Sequence, residues 1–318
     1  MSRTRLTRPA RIDRRRMLLG AAALGGGLAA LPCPAIARSD RPLITHGVQA
    51  GDVDTSGAVL WARADRPARM RVELAATEGF RNPRLVTGPT ALGVDDFTAK
   101  LTIDGLPSGQ DVFYRISFES LEYPGAVSEP AIGRLRTAPT ARRDIRFLWT
   151  GDTAGQGWGI NPDWGGMRGY ATMAAQGADF LIHSGDLVYA DGPIAAEKTT
   201  PDGRVWRNLV TEETAKVAET LAEFRGNYKY NLLDEHVRRF NATTPILAQW
   251  DDHEVVDNWY PGEMLQADDR YAVKSVDLLA ARAARAFHEY VPLRTNPLET
   301  GRVYRRIACG PSLDGFFL

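Results

Sequence analysis

The sequence predicts two parts, an all-β sandwich followed by an α/β sheet domain, and three observations predict it. Between about Pro42 and Thr137, short runs alternate apolar and polar residues and are separated by Gly, Pro, Asp and Asn turns. After residue 144, continuous apolar runs alternate with segments of helical composition, the pattern of buried strands joined by helices. Three of those later runs end in a carboxylate.

Residues 1–37 form the first element. Seven arginines, from Arg3 to Arg16, precede an uncharged run from Met17 to Ala37 that contains four glycines and two prolines. A membrane span needs about 20 strongly apolar residues, so the run reads as a cleaved export signal rather than a stable anchor. Arg14-Arg15-Arg16 before Met17-Leu18-Leu19 resembles a twin-arginine signal, and Ala35-Ile36-Ala37 offers small residues for cleavage near Ala37. The expected location is periplasmic or secreted, with the twin-arginine (Tat) export machinery as a partner. Pro32 spoils the small-residue context that would make Cys33 a lipidation site.

Removal of 1–37 leaves 32 Lys and Arg against 38 Asp and Glu, a net charge near −6. Such a balance argues against a nucleic-acid-binding surface, which relies on a basic face. Cys309 is then the only thiol, so no intramolecular disulfide can form and stability rests on packed cores.

Residues 38–138 are expected to be the β-sandwich, with strands around Ala58–Ala62, Met70–Leu74, Ala99–Ile103 and Phe113–Ser117. Leu106-Pro107-Ser108-Gly109-Gln110 leading to Tyr114 resembles the corner of a fibronectin III or immunoglobulin-like domain, in which a tyrosine hydroxyl returns to the upstream backbone. His46 and Asp52 read as turn-forming, surface groups.

Residues 144–318 are expected to be the α/β domain. Ile145–Trp149 ends in Thr150-Gly151-Asp152, Asp179–His183 in Ser184-Gly185-Asp186, and Pro245–Trp250 in Asp251-Asp252-His253. Helical composition covers Met167–Gln176, Trp206–Phe240 and Tyr271–Tyr290, and two further strands are expected in Gly301–Cys309 and Ser312–Leu318. A single Gly-Asp is an ordinary turn. Three carboxylate-bearing strand ends in register converge anions on one sheet edge, where ligands collect, and converging anions call for cations. Tyr189, three residues past Asp186, is close enough to share an ion; a phenol with a reference pKa near 10 binds as phenolate only to a strong Lewis acid such as ferric iron. The Gly-rich stretch Gly151–Gly159 lacks the Lys-Ser/Thr of a phosphate-cradling loop and reads as a loop over the site. His183, His236 and His288 read as structural.

Gly185-Asp186-Leu187-Val188-Tyr189 and Trp250-Asp251-Asp252-His253-Glu254 resemble motifs of the calcineurin-like metallophosphoesterases, in the variant of the alkaline phosphatase D (PhoD-like) family; His46–Asp52 and Gly57–Arg63 resemble that family's N-terminal β domain. The resemblance implies an αββα metallophosphoesterase fold, present here as its N-terminal half, behind a fibronectin III/immunoglobulin-like domain. It implies an exported phosphoester hydrolase, an alkaline phosphatase or phosphodiesterase, using a two-metal site and a metal-bound hydroxide on phosphate ester substrates. In that reading Asp152, Asp186, Tyr189, Asp252 and Asp251 are metal ligands, with Asp186 bridging, and His253 is the catalytic acid. The metals implied are Fe3+ with Ca2+, with Zn2+, Mn2+ or Mg2+ as alternatives.

Two departures stand out. Known members have a cysteine ligand near the position of Asp152, where this chain has none, and the family's later histidine motifs are absent from these residues. A C-terminally truncated chain is therefore expected, with an uncovered sheet face and edge that favour association. The alternatives are an inactive truncated remnant and a purple acid phosphatase-like enzyme, the latter disfavoured by Asp251-Asp252-His253 in place of Gly-Asn-His.

Overall fold

A computed structural model describes residues 40–318. The export signal expected in 1–37 lies outside the described residues.

The N-terminal region supplies β1 (Ile44–Gly51), β2 (Ala58–Ala64), β3 (Ala68–Ala75), β4 (Arg84–Ala91), β5 (Thr98–Ile103), β6 (Asp111–Ser120) and β7 (Ala131–Arg136). In β3 and β6 buried and less buried residues alternate, as the period-two pattern requires. Strands β4-β3-β6-β7 form one antiparallel sheet. The α/β region adds β8 (Phe147–Thr150), α1 (Arg168–Ala174), β9 (Phe180–His183), the hairpin strands β10 (Glu197–Thr199) and β11 (Val205–Arg207), α2 (Leu221–Asn231), α3 (Glu235–Thr243), β12 (Ile246–Ala248), α4 (Val276–Tyr290), and the hairpin β13 (Arg305–Ala308) and β14 (Asp314–Phe317).

The second layer of the sandwich does not close on itself. Its strands continue into the α/β sheet in the order β5-β2-β1-β12-β9-β8. β1 runs antiparallel to β2 and parallel to β12, with Gly51 opposite Ile246. A Cβ at Gly51 would sit 2.3 Å from the Pro292 carbonyl oxygen and 2.7 Å from that of Ile246, so only glycine allows this joint. Strands β12, β9 and β8 are parallel, so their carboxyl ends lie on one edge. The core is continuous as well: Phe180, Leu247, Ile307 and Phe317 pack in one cluster with Leu60, Met70, Ile116 and Phe118. β8 is an edge strand among the described residues, with Phe147 40% and Trp149 73% exposed.

Three expectations are corrected. The helix anticipated over Trp206–Phe240 is interrupted. Residues up to Arg207 pair as β11, and α2 begins only after Thr220, whose side chain and that of Glu223 cap each other's backbone N–H groups. Asp234 then starts α3 by accepting from the backbone N–H groups of His236 (2.8 Å) and Val237 (3.2 Å). The Tyr114 hydroxyl does not return to the upstream backbone; it donates to the Ala242 carbonyl at 3.2 Å and ties the β domain to α3. Neither Asp52 nor His46 is a surface group, at 1% and 9% exposed. Asp52 accepts two hydrogen bonds from the Arg305 guanidinium, at 2.7 and 2.8 Å, and one from the Arg294 backbone N–H at 2.7 Å.

Candidate metal centre

The carboxyl ends of β8, β9 and β12 bring the sequence-identified residues together. Asp152 and Asp186 both adopt left-handed backbone, φ 59° and 53°. Holding a non-glycine residue there costs roughly 1–3 kcal/mol and is typical of functional turns. The turns brace each other, since Asp152 N–H donates to the Gly185 carbonyl at 3.2 Å and Thr153 N–H to the Asp186 carbonyl at 2.9 Å. Gly185 has φ 102°, and a Cβ there would meet the Asp251 Cβ at 2.2 Å, so glycine lets the second and third turns touch.

Asp186 stands between two groups of candidate ligand side chains. On one side, the Tyr189 hydroxyl is hydrogen-bonded to Asp152 and faces Asp186. On the other, Asp186, Asp252 and His253 each offer a ligand atom within 4.8 Å of the others. Asp251 is exposed, and its carboxylate accepts from the Asp252 backbone N–H at 3.1 Å, which holds the turn.

The electrostatics suit a cation. Burial pushes the Asp186 carboxyl above the usual range, with Asp251 and Asp252 adding and His253 opposing. Asp251, though its side chain reaches solvent, is raised by the partial desolvation of the crowded turn and by Asp252. Burial and the neighbouring carboxylates hold the Tyr189 phenol protonated. Among the described residues no Lys or Arg pairs with Asp152, Asp186, Asp251 or Asp252. Oxygen donors crowded with no Lys or Arg to neutralise them are the donor set that hard cations take.

Two residues that sequence reasoning assigned no role complete the site. Asp191, 7% exposed, places both carboxylate oxygens 2.9 Å from His253 Nδ1 and accepts from the Asp257 backbone N–H at 2.8 Å. Burial works against charge on the His253 imidazole, but the Asp191 hydrogen bond and the surrounding carboxylates raise its pKa. Tyr189 stacks on the same ring at 4.3 Å. Glu254, 1% exposed, accepts from the backbone N–H groups of Leu187 (2.7 Å), Asp251 (2.8 Å) and Asp186 (3.3 Å), binding the β9 and β12 turns together. His183 is a fully buried core residue, with Nε2 2.8 Å from the Thr153 hydroxyl. A polar cleft lined by Gln156, Tyr189, Asp191, His253, Asp257 and Arg270 opens beside the carboxylates.

Fold and site together define a phosphoesterase-type α/β domain behind an N-terminal β domain. The family model for a PhoD-like phosphatase matches residues 147–318, and that for its N-terminal domain matches residues 29–139. The chain belongs to the PhoD-like phosphatase family. It is 26% identical over 282 residues to alkaline phosphatase D of Bacillus subtilis, covering 84% of this chain and 44% of that protein. A solved structure of PhoD matches with a TM-score of 0.65 and 25% identity, over 83% of this chain and 49% of that one. A purple acid phosphatase from yellow lupin seeds matches at a TM-score of 0.49 and 12% identity, over 84% of this chain and 43% of that one. The chain spans about half the length of these relatives.

Proposed function

We propose that this chain contributes the carboxylate half of the active site of an exported, metal-dependent phosphoester hydrolase acting on phosphomonoesters or phosphodiesters. The supporting observation is Asp186, which shares the Tyr189 hydroxyl with Asp152 on one side and meets Asp252 and His253 on the other, as a carboxylate shared by two ions would. Bound cations would supply Lewis acidity and neutralise charge developing on the phosphoryl oxygens. Asp152 and Tyr189 would hold one ion, Asp252 the other, and Asp186 both; Asp251 shapes the turn beside them. Tyr189 favours ferric iron as the first ion, with calcium, zinc, manganese or magnesium beside it.

His253 moves the proton. Asp191 occupies Nδ1, which leaves Nε2 to protonate the departing alkoxide. Asp257 Oδ1 lies 3.6 Å from the same Nε2. Export by the twin-arginine route would deliver the folded chain to the periplasm or beyond, and no helix among the described residues is long and apolar enough to cross a membrane. The test is hydrolysis of p-nitrophenyl phosphate and bis-p-nitrophenyl phosphate by the full chain with metal, with chelator, and with an Asp252→Ala variant. Metal-dependent turnover lost in the variant is expected. Turnover that survives both chelation and the substitution would rule the reading out.

A further inference from the structure

The cleft wall at Gln156 runs into a group of three tryptophans that the proposed chemistry does not use. Trp158 and Trp164 lie in the loop after β8, and Trp206 is on β11. Trp206 meets Trp158 edge-on at 5.7 Å and Trp164 at 5.0 Å. Each flanking indole carries a cation: Lys198 Nζ sits 4.5 Å from the Trp158 ring centroid, and the Arg204 guanidinium 4.4 Å from that of Trp164. Lys198 also donates to the Gln156 carbonyl, which joins the group to the cleft beside His253.

The arrangement is pre-built. The Asn208 side chain accepts from the Gly159 backbone N–H (2.8 Å) and from Trp206 Nε1 (2.7 Å), and donates to the carbonyls of Ala195 (2.7 Å) and Gly157 (3.1 Å). One residue thereby fixes the hairpin to the loop. Trp164, Arg168, Arg204 and Trp206 line an open groove on its outer side. Asp202 shares Arg204, but both side chains are more than half exposed, so the ion pair is weak and leaves the guanidinium available.

We propose that this groove is a binding subsite for a planar aromatic ring carried by a phosphoester, a nucleotide being the simplest such ligand. Indole and guanidinium planes both stack on π-rings, which favours a nucleobase over a saturated chain. Arg204 and Arg168 supply the donors that a phosphate takes. As a statement about substrate choice, the assignment rests on the hydrolase reading above; ring binding itself does not.

Adenosine 5′-monophosphate and ribose 5-phosphate, titrated calorimetrically into the full chain in excess chelator, test the subsite apart from catalysis. The nucleotide is expected to bind at least ~10-fold more tightly than the sugar phosphate, within the range for one stacked base. Arg204→Gln, at an exposed position, is expected to erase at least ~5-fold of that difference, and Trp206→Leu most of it. Equal affinity for the two probes, or a nucleotide preference unchanged in both folded variants, overturns the proposal. Ring-dependent binding without metal-dependent hydrolysis would sink the hydrolase reading alone; hydrolysis without ring-dependent binding would sink the subsite alone.

Discussion

Replacing Glu254 by alanine should loosen both the β9 and the β12 turn of the candidate metal centre at once. Its buried carboxyl accepts from the backbone N–H groups of Leu187 and Asp251 at 2.7 and 2.8 Å, and from that of Asp186 at 3.3 Å. Leaving a buried donor unsatisfied costs about 1–3 kcal/mol. Counting only the two short bonds gives about 2–6 kcal/mol, and the cavity left by a side chain 1% exposed adds to it. For a chain of this size that corresponds to a fall in Tm of roughly 3–10 °C. Thermal melts in excess chelator isolate the effect from metal binding, which would stabilise the native state by mass action. Glu254→Gln should fall in between, because the amide keeps one acceptor but turns its NH2 toward a backbone donor. A Glu254→Ala melt within about 2 °C of the wild type would refute the reasoning, for it would mean that the turns hold their positions without this residue.

Three further outcomes follow from other contacts. Asp52→Leu should cost about 3–5 kcal/mol by stranding Arg305, 9% exposed, and Asp52→Leu with Arg305→Met should recover much of that loss in urea melts. Burial, with Arg63 and Lys229 nearby, lowers the His46 pKa to about 4 from an unfolded value near 6.5. The unfolded chain therefore binds the extra proton between those values, and stability falls as pH drops through that window, by up to about 3 kcal/mol from this residue; His46→Gln should flatten that part of the urea-midpoint profile between pH 7 and 4. Asp191→Asn should lower kcat at least ~10-fold at unchanged metal content by releasing His253 Nδ1; unchanged kcat would remove Asp191 from the mechanism.

Most of the candidate site was legible because it is local. Gly-Asp after an apolar run marks a strand end, and three such ends in a parallel pattern share an edge whatever the rest of the chain does. Asp191 gave no such signal: it is a lone aspartate in a loop, and its partner lies 62 residues away. Glu254 was visible as part of Asp-Asp-His-Glu, but its role depends on turns from two strands meeting. The joint between β1 and β12 was equally hidden, because strand pairing across about 200 residues leaves no periodicity, only Gly51 where two backbones approach. Asp52 and Tyr114 were misjudged for the same reason. Each is explained by residues of the later domain, Arg305 and Ala242, rather than by its own neighbours.

The most direct test of the central claim is metal stoichiometry, measured by mass spectrometry on gel-filtered full chain reconstituted with iron and calcium, for wild type and Asp186→Ala. A carboxylate shared by two ions predicts two metals per wild-type chain and a loss that touches both sites in the variant, with the fold intact by circular dichroism. Wild-type stoichiometry retained in Asp186→Ala, or no metal bound by the folded wild type, would contradict it.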